Sequence, residues 1–184
     1  MKNLACYFIA VMICLPAIAL ADDSKYLAGA VPEVNGKVVF AKDFNLPGVE
    51  QDSIYDYVYS WLDKQMKAKN NDSRIVIAEK GKGQILASGE ESLVFSNTAF
   101  SFDESHMSYN ILVLCKPGKC EIRVERIRFN YEDEKHMAED MISDKAALNK
   151  KKTTMFRGYK KFRIKTVDFV EELFTSLQLS LGAK

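Results

Sequence analysis

The chain has 184 residues, 26 Lys+Arg against 25 Asp+Glu, a formal net charge of +1 and 47% hydrophobic residues. That supplies the core of one domain but no overall field that would draw nucleic acid or an anionic surface. The charge is uneven, since residues 22–144 carry 15 basic and 22 acidic side chains while residues 145–165 carry 9 basic and none acidic.

Met1–Ala21 reads as a secretory leader: Lys2, an uncharged run from Leu4 to Leu20, and Ala19-Leu20-Ala21 at the end. The run is short for a membrane span and contains Pro16. A lipidated cysteine is not indicated, because Ile13 precedes Cys14 and Cys6 comes before any apolar run. Cleavage before Asp22 is expected, leaving residues 22–184 as one exported domain, periplasmic or extracellular, without membrane insertion.

Asn35-Gly36 introduces KVVFAKDF, and the β-branched and aromatic run predicts a strand over Lys37–Phe44. In SIYDYVYSWLDKQMKAKN, Ile54, Val58, Trp61, Leu62 and Met66 fall at helical spacing, and Ser53 with Asp56 has the pattern of a capping box. RIVIAE, KGKG and QILASGEESLVF then predict a hairpin. Gly81-Lys82-Gly83 lacks the following helix and Lys-Ser/Thr pair of a phosphate loop, and no cofactor is expected. SYNILVLC and CEIRVERIRFNY predict a second hairpin, whose apolar parity switches between Val124 and Ile127, as a β-bulge near Glu125-Arg126 would cause.

CKPGKC, residues 115–120, joins those two arms. With Pro117-Gly118 central in the turn, Cys115 faces Cys120 in a non-hydrogen-bonded pair, about 4.5 Å between Cα atoms. In an exported chain the two are expected to form a disulfide that pins the hairpin register. A redox motif would be Cys-x-x-Cys at a helix start, and a zinc site would need further Cys or His ligands nearby.

Residues 132–165 read as an irregular basic insert, with a helical piece over about 135–148. TVDFVEELFTSLQLSLG then predicts a final helix capped by Thr166, buried along Val170, Leu173, Phe174, Leu177 and Leu181, and ended by Gly182. These elements make an α+β fold: a single two-layer domain with an antiparallel sheet of about five strands and two long helices packed on one face.

The succession VPEVNGKVVFAKDF, SIYDYVYSWLDKQM, a central four-strand block, AEDMISDKAALNK and KFRIKTVDFVEELFTSL resembles a family of exported bacterial domains of unknown function with a TATA-box-binding-protein-like fold. The likeness covers nearly all of residues 22–184 and implies a TBP-like fold, without an active site to carry across. DNA binding does not follow from a fold name.

Candidate chemistry is sparse. His106 and His136 are the only histidines, and FDESHMSYN around His106 reads as a polar loop without a nucleophile elbow. Glu132, His136 and Asp140 would align on one helix face, with Glu139 beside them, but acids ahead of a helix also serve its dipole, so no metal is expected. Glu90-Glu91 and Glu171-Glu172 are sequence neighbours that diverge from a strand or helix. Lys150, Lys151, Lys152, Arg157, Lys160, Lys161 and Arg163 interleave with Phe156, Tyr159 and Phe162, a mixture suited to an anionic polymer or to a solvated face. The sequence therefore points to a non-catalytic binding or interaction module of the bacterial cell envelope, using the open face of its sheet or the basic segment to hold an unidentified ligand or protein partner, and not nucleic acid. The alternative is a hydrolase whose carboxylates converge only in the folded chain.

Overall fold

The computed structural model of the protein describes residues 23–69, 71–98 and 101–182; the expected leader and its cleavage point before Asp22 lie outside the described residues. The chain runs through β1 (Glu33–Val34), β2 (Lys37–Asn45), α1 (Gln51–Ala68), β3 (Arg74–Glu79), β4 (Gln84–Thr98), β5 (Ser101–Lys116), β6 (Lys119–Tyr131), β7 (Glu134–Met137), α2 (Ala138–Met141), α3 (Asp144–Ala147) and α4 (Arg157–Leu181). The antiparallel sheet has the order β1-β2-β6-β5-β4-β3, and β7 pairs with β6. It has seven strands where about five were expected, because β1 and β7, 2 and 4 residues long, are too short to show an alternation in sequence. The helical layer is also more than two long helices: the single-turn α2 and α3 stand between α1 and α4.

Local chemistry explains most boundaries. Asn35 and Gly36 both have positive φ, 52° and 73°, which suits the two-residue turn joining β1 to β2. In β6, Arg126 has φ 55°, and the pairing with β5 jumps from Ser108↔Arg128 to Asn110↔Glu125. That is the bulge the parity switch implied, and it lets Ile122, Val124, Ile127 and Phe129 all reach the core.

The same bulge interrupts the other flank of β6. There β2 pairs with β6 up to Val39↔Glu125 and β7 resumes at Met137↔Arg128. A slot remains between the end of β2 and the β7–α2 junction.

Inward residues of the strands meet the stripe of α1 (Ile54, Val58, Trp61, Leu62, Met66) and that of α4 in one core. Trp61 Nε1 and Gln65 Nε2 both donate to Ser176 Oγ, at 3.0 and 3.2 Å, fastening α1 to α4. Phe162 of α4 lies edge-on to Phe95, Phe129 and Tyr131, with ring centroids 4.8 to 5.3 Å apart.

Several expectations change. Helix α1 starts at Gln51, so Ser53 and Asp56 form no capping box; Asp56 instead binds Lys80 at 2.7 Å. The segment 132–165 is not an irregular insert. The expected 135–148 helix is instead β7, α2 and α3, broken at Ile142, and Ser143 Oγ caps α3 by accepting from the Ala146 amide at 3.1 Å. Helix α4 begins at Arg157 rather than Thr166, because Phe162, Thr166 and Val170 continue the buried stripe at four-residue steps. Thr166 is a fully buried mid-helix residue, its hydroxyl 3.8 Å from Met107 Sδ.

The cysteines take the expected register, Cys115↔Cys120, across a turn where Gly118 has φ 74°. They are nevertheless free thiols, and the expected disulfide is not formed. Both side chains are buried in the core, where the thiols hydrogen-bond; that bond and burial push the Cys120 thiol upward, while the same bond pulls the Cys115 thiol down. His106 is an exposed residue of β5, not of a loop, because β4 and β5 are longer than their apolar alternation.

Candidate functional site

The basic segment is dispersed by the fold. Lys150, Lys151 and Lys152 lie in the tight turn between α3 and α4, closed by the Asn149 amide donating to the Thr154 carbonyl at 3.0 Å. Lys152 is 3.4 Å from Asp144. From Arg157 onward the side chains rotate around α4. Lys160 pairs with Asp23, and Lys161 binds Asp103 at 2.7 Å and the Tyr131 hydroxyl at 2.8 Å, over the rings of Tyr131 and Phe95.

Arg163 is wholly buried, donating to the carbonyls of Tyr26, Leu27 and Ile142 and to Asp144 Oδ1. Tyr159 is half-buried and Phe162 is core. Four of the seven basic side chains are thus neutralised within the domain, and no continuous basic stripe forms. Their interleaving with aromatics in sequence suggested one surface, whereas about 100° of helical rotation per residue sends those of α4 apart.

Arg157 does line a depression of about 820 Å³, shared with Glu132, His136 and Asp140. Those three do not form the row on one helix face that sequence spacing suggested. Glu132 sits in a turn with φ 52°, His136 in β7 and Asp140 in α2. Among the described residues, no group of three or more His, Cys, Asp or Glu side chains is arranged to hold a metal ion. On the outer side of α4, Asp168 and Glu171 converge only through Lys25, which binds both at 2.7 and 3.3 Å. A carboxylate pair bridged by an ammonium is poorly placed for paired acid and base work.

The opposite face of the sheet is not covered by any described helix. Strand pairing sets out its rows: Glu90, Ser108, Arg128 and Met137 across β4, β5, β6 and β7, and beside them Ser92, His106, Asn130 and Lys135. A depression of about 260 Å³ lies along these rows, lined by Glu90, His106, Ser108, Arg128 and Lys135 among others. Arg128 also borders a second depression of about 360 Å³, the slot between β2 and β7, with Lys37, Glu125, Arg126 and Glu139.

Towards the β3 edge the same face turns apolar: Ile77 is 44% exposed, opposite Leu86, which pairs in turn with Leu112. The open face therefore combines an apolar band with charges, those of Glu90, Arg128 and Lys135, that have no ion-pair partner among the described residues. Sequence reasoning named an open sheet face but none of its residues, because they come from four strands and meet only once the register is known; outward parity in each strand was the available signal.

Residues 40–130 match the family model DUF4468, described as a domain of unknown function with TBP-like fold. Among solved structures, the chain is similar to a DUF4468 family protein from Bacteroides ovatus, with 50% sequence identity and a TM-score of 0.85 over 89% of this chain and 96% of that one. It shares its fold with a TBP-like protein from Parabacteroides distasonis, at 23% identity and a TM-score of 0.70, over 84% of this chain and 99% of that one. No curated protein matches the chain. Its close likeness to the Bacteroides ovatus protein over nearly the whole of both chains, together with the matching core, places it in the family: the chain belongs to DUF4468.

Proposed function

We propose that the protein is an exported, non-catalytic binding module of the bacterial cell envelope that holds its ligand or protein partner on the open face of its sheet. The observation that carries this reading is the face itself: uncovered by described helices, indented on both sides of Arg128, and bordered by an apolar band. A uniformly polar, flat face would speak against binding; concavity with a few convergent polar groups is what recognition sites share. The basic side chains of residues 150–161 do not support the same role, because three of them are engaged inside the domain. Export rests on the leader pattern of residues 1–21.

The test is mass spectrometry of the protein purified from its host's envelope fraction, wild type beside Arg128→Glu. A denatured mass beginning at Asp22, with a retained native mass that the variant loses, is the expected result. Full-length protein confined to the cytosol, or a retained mass unaffected by the substitution, would contradict it.

A further inference from the structure

We infer that the slot between β2 and β7, with the adjoining depression across Arg128, takes a small carboxylate ligand that carries its own hydrogen-bond donors. A uronic-acid sugar and an amino-acid unit share that chemistry. The inference rests on the open-face reading above and names its ligand class.

The slot exists because Arg126 and Ile127 are bulged out of the pairing: β2 stops at Val39↔Glu125 and β7 resumes at Met137↔Arg128. Its volume of about 360 Å³ falls in the small-molecule range of roughly 300–1,000 Å³. Its charges are unspent. Lys37, Arg128 and Lys135 have no ion-pair partner among the described residues, and the carboxylate paired with Arg126, that of Glu125, stands 4.0 Å away. Elsewhere on this sheet, Arg123 and Lys119 are closely matched, to Glu121 at 2.5 Å and Asp43 at 2.8 Å. Two guanidinium groups beside a cavity favour a planar carboxylate, which each can grip through two parallel hydrogen bonds.

Glu139 specifies the rest of the ligand. Its Oε1 accepts the Val38 amide at 2.9 Å, while its Oε2 is buried with no hydrogen-bond partner. A buried carboxylate oxygen left unpaired is costly and calls for a donor. A bare anion would meet Arg126 and Arg128 but leave that oxygen unpaired and be repelled by it. A neutral sugar would satisfy Glu139 but leave the arginines unused. A carboxylate with a neighbouring hydroxyl or ammonium meets both.

Amide NMR titration of the purified protein tests this with D-glucuronate and L-alanine, against acetate, which has no donor, and D-glucose, which has no charge. Shifts are expected around residues 37–39, 125–128 and 137–139 for at least one of the first two, with affinity about tenfold above both controls. Arg128→Gln and Glu139→Gln should each weaken that binding by about tenfold while leaving circular dichroism unchanged. A response to glucuronate alone assigns the site to acidic glycan, and a response to alanine alone assigns it to amino-acid units. Acetate binding as tightly as either, no response at millimolar probe, or affinity unchanged in both variants would overturn the ligand class. If the face still captured partners in cells, the binding role would survive that failure.

Discussion

Arg163→Met is expected to lose about 3–5 kcal/mol of stability, the range found when one partner of a buried ion pair is removed. The guanidinium is fully buried and ties three parts of the chain to α4: the Tyr26 and Leu27 carbonyls of the N-terminal segment, the Ile142 carbonyl between α2 and α3, and Asp144 Oδ1 at 2.7 Å. Methionine fills similar volume but strands three carbonyls and Asp144 Oδ1, each with a desolvation cost, while Asp144 Oδ2 keeps the Gly29 amide and Lys152.

The pH dependence has a definite sign. Burial pushes the Asp144 carboxyl up, but the Arg163 guanidinium and the Gly29 amide outweigh it and hold the group below the usual carboxylate range. A carboxyl depressed in the folded state contributes stability above its unfolded value of about 3.9, and that contribution is lost as pH falls through the folded value. Urea unfolding should show wild type losing this increment below about pH 4, with Arg163→Met lower throughout and flatter in acid. A loss under about 1 kcal/mol at neutral pH would mean the arginine is not the tie described here.

Gly83→Ala is expected to cost about 3–5 kcal/mol, from a left-handed backbone, forced movement of the neighbouring strand and a damaged hydrogen bond. Gly83 has φ 66°, and a Cβ there would stand 2.1 Å from the Cys115 carbonyl oxygen. That neighbour is backbone and does not swing away; the Cys115 amide donates to the Gly83 carbonyl at 2.7 Å. The damage would spread from the β3–β4 connection to the end of β5 and the cysteine pair. Chemical denaturation checks this, and a loss under about 1 kcal/mol would contradict the packing at that corner.

Sequence pattern was a good guide where a single periodicity governs burial. The α1 stripe stands as spaced, Gly182 ends α4 with φ 62°, and the parity switch in CEIRVERIRFNY located the β6 bulge. It failed where burial depends on partners distant in sequence. Nothing local marks Arg163 as a core residue, since its acceptors lie at Tyr26, Leu27, Ile142 and Asp144. Read as a surface cation, it hid the first turns of α4.

The short β1 and β7 exist because longer strands offer them edges. The cysteine register was readable from the Pro117-Gly118 turn, but register alone does not decide between thiols and a bond. The open-face site was least legible, because Lys37, Arg128 and Glu139 are brought together by a bulge and by the gap between two strand ends.

The central claim, that the open sheet face is the binding surface, is tested most directly by photo-crosslinking in the native host. A photoreactive residue would replace Leu112, on the open face, or Tyr57, 61% exposed on α1. Discrete adducts from position 112 and none from position 57 are the result this account predicts. Adducts from position 57 with none from position 112 would contradict it and move the binding surface to the helical side.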